Sequence, residues 1–446
     1  MLPLPGCAGV RRALKFPRGL IAPMQPISPD LSCRSFARPM RALAALAAIL
    51  TSGAAAQQRA VTDAEVQQVL RSATLVDTHN DVPSFTLAGF DIGKRSKEKH
   101  TDAPRLREGG VGAVFFSAYV AQEYVKRRGS AARALEMIDT IRHDIVERYP
   151  EHFVFAKTAD DIAAAHKKGK IAALIGIEGG HAIEDNLRLL RAFYDLGARY
   201  MTLTHNNTNN WADASMDADD RTVKRHNGLT ARGREVVREM NRLAMMVDVS
   251  HVSDKTFWDV LETSRAPVVA SHSSCRALSN IARNMSDDMI VAMAKKGGVI
   301  QINLGCEFLS QASADASPWF NRRLAVEIRR RAARETKDPK ARAELEKKLE
   351  LEMERKLPRA TLGDAVAHIE HVIRIAGIDA VGIGSDFDGV TCTPAGLEDV
   401  SKFPNLVRAL LERGRTAAEV HKILGGNTLR VMRDVERTAA PPGARQ

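Results

Sequence analysis

Two residue types that chelate metals stand two apart in Asp77-Thr-His-Asn-Asp81, namely His79 and Asp81. At an extended strand end that spacing points both side chains the same way, and a histidine with a carboxylate can hold one metal ion. Gly176-Ile-Glu178-Gly-Gly180 brings a carboxylate out of an apolar run. There it must be paired, protonated or metal-bound, because burying it free is costly. Leu203-Thr-His205, Asp248-Val-Ser-His251 and Ala270-Ser-His272 each finish in a histidine, and Gly384-Ser-Asp386-Phe-Asp388 carries two carboxylates. Taken singly, each fits an ordinary core or loop residue. Taken together, His79, Asp81, Glu178, His205, His251, His272 and Asp386 follow six β-branched runs, and that series predicts a metal site. Asp388 reads as a loop carboxylate making local hydrogen bonds.

The elements that must position these groups are short and apolar. Candidate strands run over 74–79, 111–119, 171–177, 199–204, 245–250, 267–271, 298–304 and 380–385. Near-continuous apolar strands are buried on both faces, as in a parallel sheet. Amphipathic helical patterns intervene at 183–196, 230–244, 254–264, 286–296, 361–376 and 416–435. Eight strands alternating with helices predict an α/β fold, a (β/α)8 TIM-type barrel, whose reactive groups gather at the C-terminal strand ends. A doubly wound sheet is the alternative, but no Gly-x-Gly-x-x-Gly follows the first strand. The Arg/Glu/Lys-rich stretch 317–360, after strand seven, reads as a charged insertion of one or two exposed helices, with a lid or a homodimer arm as its other uses. His368-Ile-Glu-His371 has a spacing used by di-metal bundles, but on a single helix it reads as a solvated face. Neither a Gly-x-Ser-x-Gly elbow nor a phosphate-binding loop occurs.

The chain has 446 residues, 44% apolar and 27% charged, with a formal charge of +11. Of that excess, residues 1–56 carry +6 and 321–357 carry +5, so the rest is close to neutral and a nucleic-acid-binding face is not supported. Arg41 precedes the apolar run Ala42 to Leu50, and Ala54-Ala55-Ala56 precedes Gln57. This reads as a secretory signal cleaved near Ala56. Its apolar run is too short for a bilayer span, and Met40 is a better start for it than Met1. The expected product is an exported chain, periplasmic or secreted, with one barrel domain over 57–438, no integral membrane span and a disordered tail at 439–446. Only Cys275, Cys306 and Cys392 follow the leader, so at least one thiol stays unpaired within a monomer.

Asp77-Thr-His-Asn-Asp81, Thr101-Asp-Ala-Pro-Arg-Leu-Arg-Glu-Gly-Gly-Val-Gly112, Glu178-Gly-Gly180, Asp248-Val-Ser-His251, Ser271-His-Ser-Ser274, Ala282-Arg-Asn284 and Gly384-Ser-Asp-Phe-Asp-Gly389 resemble, in order, the renal (membrane) dipeptidase family of zinc metallopeptidases. The similarity runs from about residue 70 to 435. It implies a barrel with two Zn2+ ions, His79 and Asp81 on one, His251 and His272 on the other, and Glu178 bridging them. It further implies that His205 contacts substrate and polarises the scissile carbonyl, and that Arg283 holds the substrate's C-terminal carboxylate. Asp386 becomes the acid/base group. The implied reaction is hydrolysis of a dipeptide to free amino acids by a metal-bridging hydroxide. Such a centre keeps net positive charge, which favours a carboxylate-bearing substrate. The alternative is a related binuclear amidohydrolase acting on N-acyl amino acids or cyclic amides. Those barrels often carry His-x-His after strand one, where this chain has His79-Asn-Asp81. A noncatalytic scaffold would have lost a ligand or Asp386, and none is lost. The insertion is longer than is usual in the family, and the disulfide pattern of animal members is not evident from three cysteines.

Overall fold

A computed structural model of the chain describes residues 60–218 and 220–439. The leader through Ala56 and all but the first residue of the tail lie outside them. Nine parallel strands follow in order: β1 Leu75–Asn80, β2 Val111–Tyr119, β3 Phe153–Phe155, β4 Ile171–Glu178, β5 Ala198–Thr202, β6 Met246–Asp248, β7 Val269–Ser273, β8 Val299–Ile302 and β9 Val381–Ile383. Strand β1 pairs with both β2 and β9, and β2 pairs directly with β4, so eight of them close into the expected barrel. The ninth, β3, pairs only with the first three residues of β4. Its three residues carry too little pattern to be read as a strand in advance.

Packing follows the two-residue period of each strand. Val76, Phe115, Leu174, Tyr200, Met246 and Val299, from six different strands, belong to one buried cluster, which is the barrel interior. The helix Asn427–Thr438 contributes Val431, Met432 and Val435 to the same cluster. Glu178 stands on the same face of β4 as Ala172 and Leu174, so it points into the barrel where the apolar filling ends. Gly176, between them, has a specific role. A Cβ there would lie 2.0 Å from the Tyr200 ring, so glycine leaves the space that ring occupies.

The charged insertion forms two helices, Arg322–Glu335 capped by Asn321 and Pro339–Glu354 capped by Asp338. Between them only Ile328, Ala332 and Leu349 are buried, as expected of a solvated excursion. His368 and His371 depart from expectation. They sit on the helix Leu362–Ala376, but both are buried and neither faces solvent. His368 Nδ1 accepts from the Cys275 backbone N–H at 3.0 Å, its Nε2 lies 3.1 Å from the Leu309 carbonyl, and His371 Nε2 lies 2.7 Å from Asp287. They are packing residues because this helix lies against neighbours on its histidine face. Among the described residues, no helix is long and apolar enough to cross a membrane.

Cys306 and Cys392 form a disulfide across 86 residues, leaving Cys275 as a buried thiol. The bridge joins the segment after β8 to the segment after β9. Closing so long a loop restricts the unfolded chain, an effect of about 2–4 kcal/mol. Replacing both cysteines by serine should lower Tm in non-reducing buffer, and reductant should lower the wild-type Tm without moving that of the double variant. Equal melting of the two oxidised proteins would contradict a stabilising bridge.

Candidate metal centre and substrate cavity

The strand ends bring the seven groups expected from sequence into one place. His79 Nε2 lies 3.2 Å from Asp81 Oδ2 and 3.5 Å from Glu178 Oε2. On the other side, Glu178 Oε1 lies 3.2 Å from His251 Nε2, 3.5 Å from His272 Nε2 and 3.7 Å from His205 Nε2. The two oxygens of one carboxylate therefore face two different sets of donors. Glu178, His79 and His272 are almost wholly buried.

The ring tautomers follow from the partners of each Nδ1. Ser271 Oγ donates to Asp248 Oδ2 at 2.6 Å, so its only role toward His272 Nδ1, 2.8 Å away, is as acceptor. The Asn206 Oδ1 oxygen accepts from His251 Nδ1 at 3.0 Å. Both rings thus carry their proton on Nδ1, and their bare Nε2 atoms face each other at 2.9 Å. Two lone pairs at that distance repel unless a cation draws on both. Burial holds both rings neutral, well below the usual histidine range, and the Arg283 charge adds to this. At His79 burial opposes the charged ring, but Tyr200, Glu178 and Asp81 outweigh it and favour positive charge there. Its buried Nε2 has no hydrogen-bond partner. This donor set fits divalent metal on both sides of Glu178.

Asp386 and Asp388, after β9, lie in the left-handed region at φ 60° and 69°, and so does His251, after β6, at 68°. Such backbone costs about 1–3 kcal/mol per non-glycine residue and persists where surroundings enforce it. Gly389 shows the crowding. A Cβ there would lie 2.3 Å from both Asp386 Oδ1 and Asp81 Oδ2. Burial raises the Asp386 carboxyl well above the usual range, with the nearby Asp81 and Glu178 charges, while Asn303 Nδ2 donates to Oδ2 at 2.7 Å. By distance alone Asp386 and His205 also qualify as ligands. Three sets of donor atoms each lie within 4.8 Å of one another, those of His79, Glu178 and His272, of Glu178, His205 and His251, and of His79, Asp81 and Asp386. Asp388, expected to bond locally, instead accepts from the His100 N–H at 2.8 Å, 288 residues away in sequence, and its Oδ2 is buried.

A cavity of about 440 Å3 opens over this cluster. Arg283 lines it, buried, with Nη2 donating to the His272 carbonyl at 3.3 Å and Nη1 without a partner. Its guanidinium lies 5.3 Å from the Phe308 ring centre, and burial pushes its pKa down to about 10. The insertion also reaches the cavity, through Trp319, Phe320 and Glu354.

Sequence reasoning missed the groups that orient these side chains. Tyr200 OH lies 2.8 Å from His79 Nδ1, and Ser117 Oγ donates to Glu178 Oε2 at 3.0 Å. Two buried staples repeat one pattern. Asp77 accepts from Ser385 N at 2.8 Å and Oγ at 2.6 Å, and Asp248 accepts from Ser271 N and Oγ at the same two distances. The available signal was the serine immediately before both His272 and Asp386.

A family model described as membrane dipeptidase (peptidase family M19) matches residues 63–445. An uncharacterized dipeptidase of Schizosaccharomyces pombe is 35% identical over 402 residues, covering 86% of this chain and 85% of its own. The crystal structure of the probable dipeptidase PvdM from Pseudomonas aeruginosa superposes with a TM-score of 0.74 at 25% identity, covering 84% of this chain and 99% of that one. The crystal structure of dipeptidase AC, a metallo peptidase of family M19, gives 0.65 at 25% identity, over 82% and 99%.

Tyr200→Phe keeps the ring and removes the hydroxyl beside His79 Nδ1. Losing such a partner costs about 10–100-fold in metal affinity, measurable by competition with a chelator. Unchanged affinity in a folded variant would show that Tyr200 does not orient His79.

Proposed function

Because the chain belongs to the membrane dipeptidase family, peptidase family M19, we propose that it hydrolyses dipeptides with two Zn2+ ions, His79 and Asp81 holding one, His251 and His272 the other, and Glu178 shared. The enzyme is a metallo-dipeptidase. The finer assignment is supported chiefly by the divided surroundings of Glu178, one oxygen toward His79 and the other toward His251 and His272. When bound, the ions would supply Lewis acidity and a water acidic enough to attack near neutral pH.

The remaining work falls to side chains. Arg283, with a buried and unpartnered Nη1, receives the substrate's C-terminal carboxylate through a charge-assisted pair. His205 contacts the scissile carbonyl oxygen and polarises it. Asp386 takes the proton of the attacking water and passes it to the departing amine, completing two free amino acids. Its raised proton affinity suits a group that must both accept and release a proton near neutrality. Export after cleavage near Ala56 belongs to the same proposal, and the Cys306–Cys392 bridge suits an oxidising compartment.

Asp386→Asn should lower turnover by roughly 10²–10⁴-fold, the usual scale for losing an acid/base group, with metal content unchanged. Loss of one metal equivalent would move Asp386 into the ligand set. Arg283→Ala should cost about 2–5 kcal/mol in kcat/KM on free dipeptides, appearing mainly in KM. Dipeptide amides should be poor wild-type substrates and little affected by the substitution. Equal wild-type kcat/KM on a dipeptide and its amide would end the dipeptidase reading of Arg283 and favour a general amidohydrolase.

A further inference from the structure

The catalytic cavity holds more negative charge than a metal centre and a dipeptide backbone need. A dipeptide brings one carboxylate and one ammonium. Arg283, with its buried and unpartnered Nη1, meets the first. Two further carboxylates line the same cavity, Glu307 and Glu354. Glu307 is buried, 6% exposed, on the short helix Cys306–Leu309 after β8. Glu354 ends the insertion helix Pro339–Glu354. Arg283 is the only Lys or Arg among the lining residues.

Neighbours of this pair describe what would sit against it. Phe308, Trp319 and Phe320 line the cavity beside it, with the Phe308 and Phe320 rings edge to face at 5.8 Å. Aromatic faces accept the methylene stem of a long cationic side chain and favour its charged head. Glu354 accepts from the Trp319 indole N–H, and Glu307 is bonded by Ser317, so both acids are held in place by the insertion's first residues. Burial, with the charge of Glu354, pushes the Glu307 carboxyl up to about 7. Phe308, adjacent to Glu307, lies 5.3 Å from the Arg283 guanidinium. In the reading above Arg283 holds the substrate's C-terminal carboxylate, so Phe308 joins that end of the substrate to the wall that carries Glu307.

We propose that Glu307 and Glu354, with the aromatic wall of Phe308, Trp319 and Phe320, form a subsite for a cationic side chain, lysine or arginine, on the C-terminal residue of the dipeptide. This rests on the dipeptidase reading above and adds a preference to it. It also gives the insertion a use, because Trp319, Phe320 and Glu354 all come from it.

The test compares alanyl-lysine with alanyl-(Nε-acetyl)lysine, which keeps the stem and removes the charge, on the zinc-loaded full chain. The C-terminal residue is offered in L and D forms, and alanyl-alanine serves as the reference substrate. Wild-type kcat/KM should favour lysine by roughly 10–100-fold, the range for a hydrogen bond to a charged group. In Glu307→Gln/Glu354→Gln the ratio should fall to about one. Glu354→Lys should favour alanyl-glutamate over alanyl-glutamine. Should the double variant not fold, Glu354→Gln alone, at a partly exposed position, should reduce the ratio. Hydrolysis of alanyl-alanine without preference for lysine, or a preference retained in the variants, would overturn the subsite and leave the dipeptidase reading standing. No hydrolysis of any of these dipeptides by the metal-loaded wild type would instead overturn the reading itself.

Discussion

One buried carboxylate organises the site. Glu178 lies at the top of an apolar barrel interior, and each of its oxygens faces a separate group of donors. An ionised carboxylate there is costly unless positive charge meets it on both sides. On one side stand His79 and Asp81 from the end of β1, and on the other His251 and His272 from the ends of β6 and β7. Those groups come from opposite arcs of a closed barrel, so their meeting depends on barrel closure and on the inward register of β4. Gly176, by leaving room for Tyr200, connects the barrel filling to His79.

The positions are held by backbone and buried polar bonds from neighbouring residues. The Asp77–Ser385 staple ties the middle of β1 to the turn after β9, and Asp248–Ser271 ties β6 to β7. Each staple also sets a site group. Ser385 immediately precedes Asp386, and Ser271 fixes the His272 tautomer. Left-handed backbone at His251, Asp386 and Asp388 aims those side chains where an ordinary strand exit would not. The placement of the clustered side chains thus rests on rigid strand ends, with the longer segments after β8 and β9 lining the cavity.

Much of this was legible in the chain because a parallel barrel puts reactive groups directly after apolar runs. His79, Glu178, His251, His272 and Asp386 each follow such a run, and a reader needs only local sequence to find them. What escaped is non-local. Tyr200 and Ser117 lie within strands and look like ordinary barrel filling; their roles depend on His79 and Glu178, 121 and 61 residues away. His368 and His371 looked solvated because an isolated helical pattern does not reveal which face meets a neighbour. The charge of the insertion announced exposure and said nothing of its two ends, where Trp319 and Glu354 turn into the cavity. Three cysteines admitted several pairings until the segments after β8 and β9 were seen side by side.

The shared carboxylate is tested most directly by anomalous diffraction at the zinc edge from crystals of the zinc-loaded wild-type enzyme. Two anomalous peaks per chain are expected, one beside His79 and Asp81 and one beside His251 and His272, with one oxygen of Glu178 on each. A single peak, or two peaks of which only one is bonded to Glu178, would contradict it.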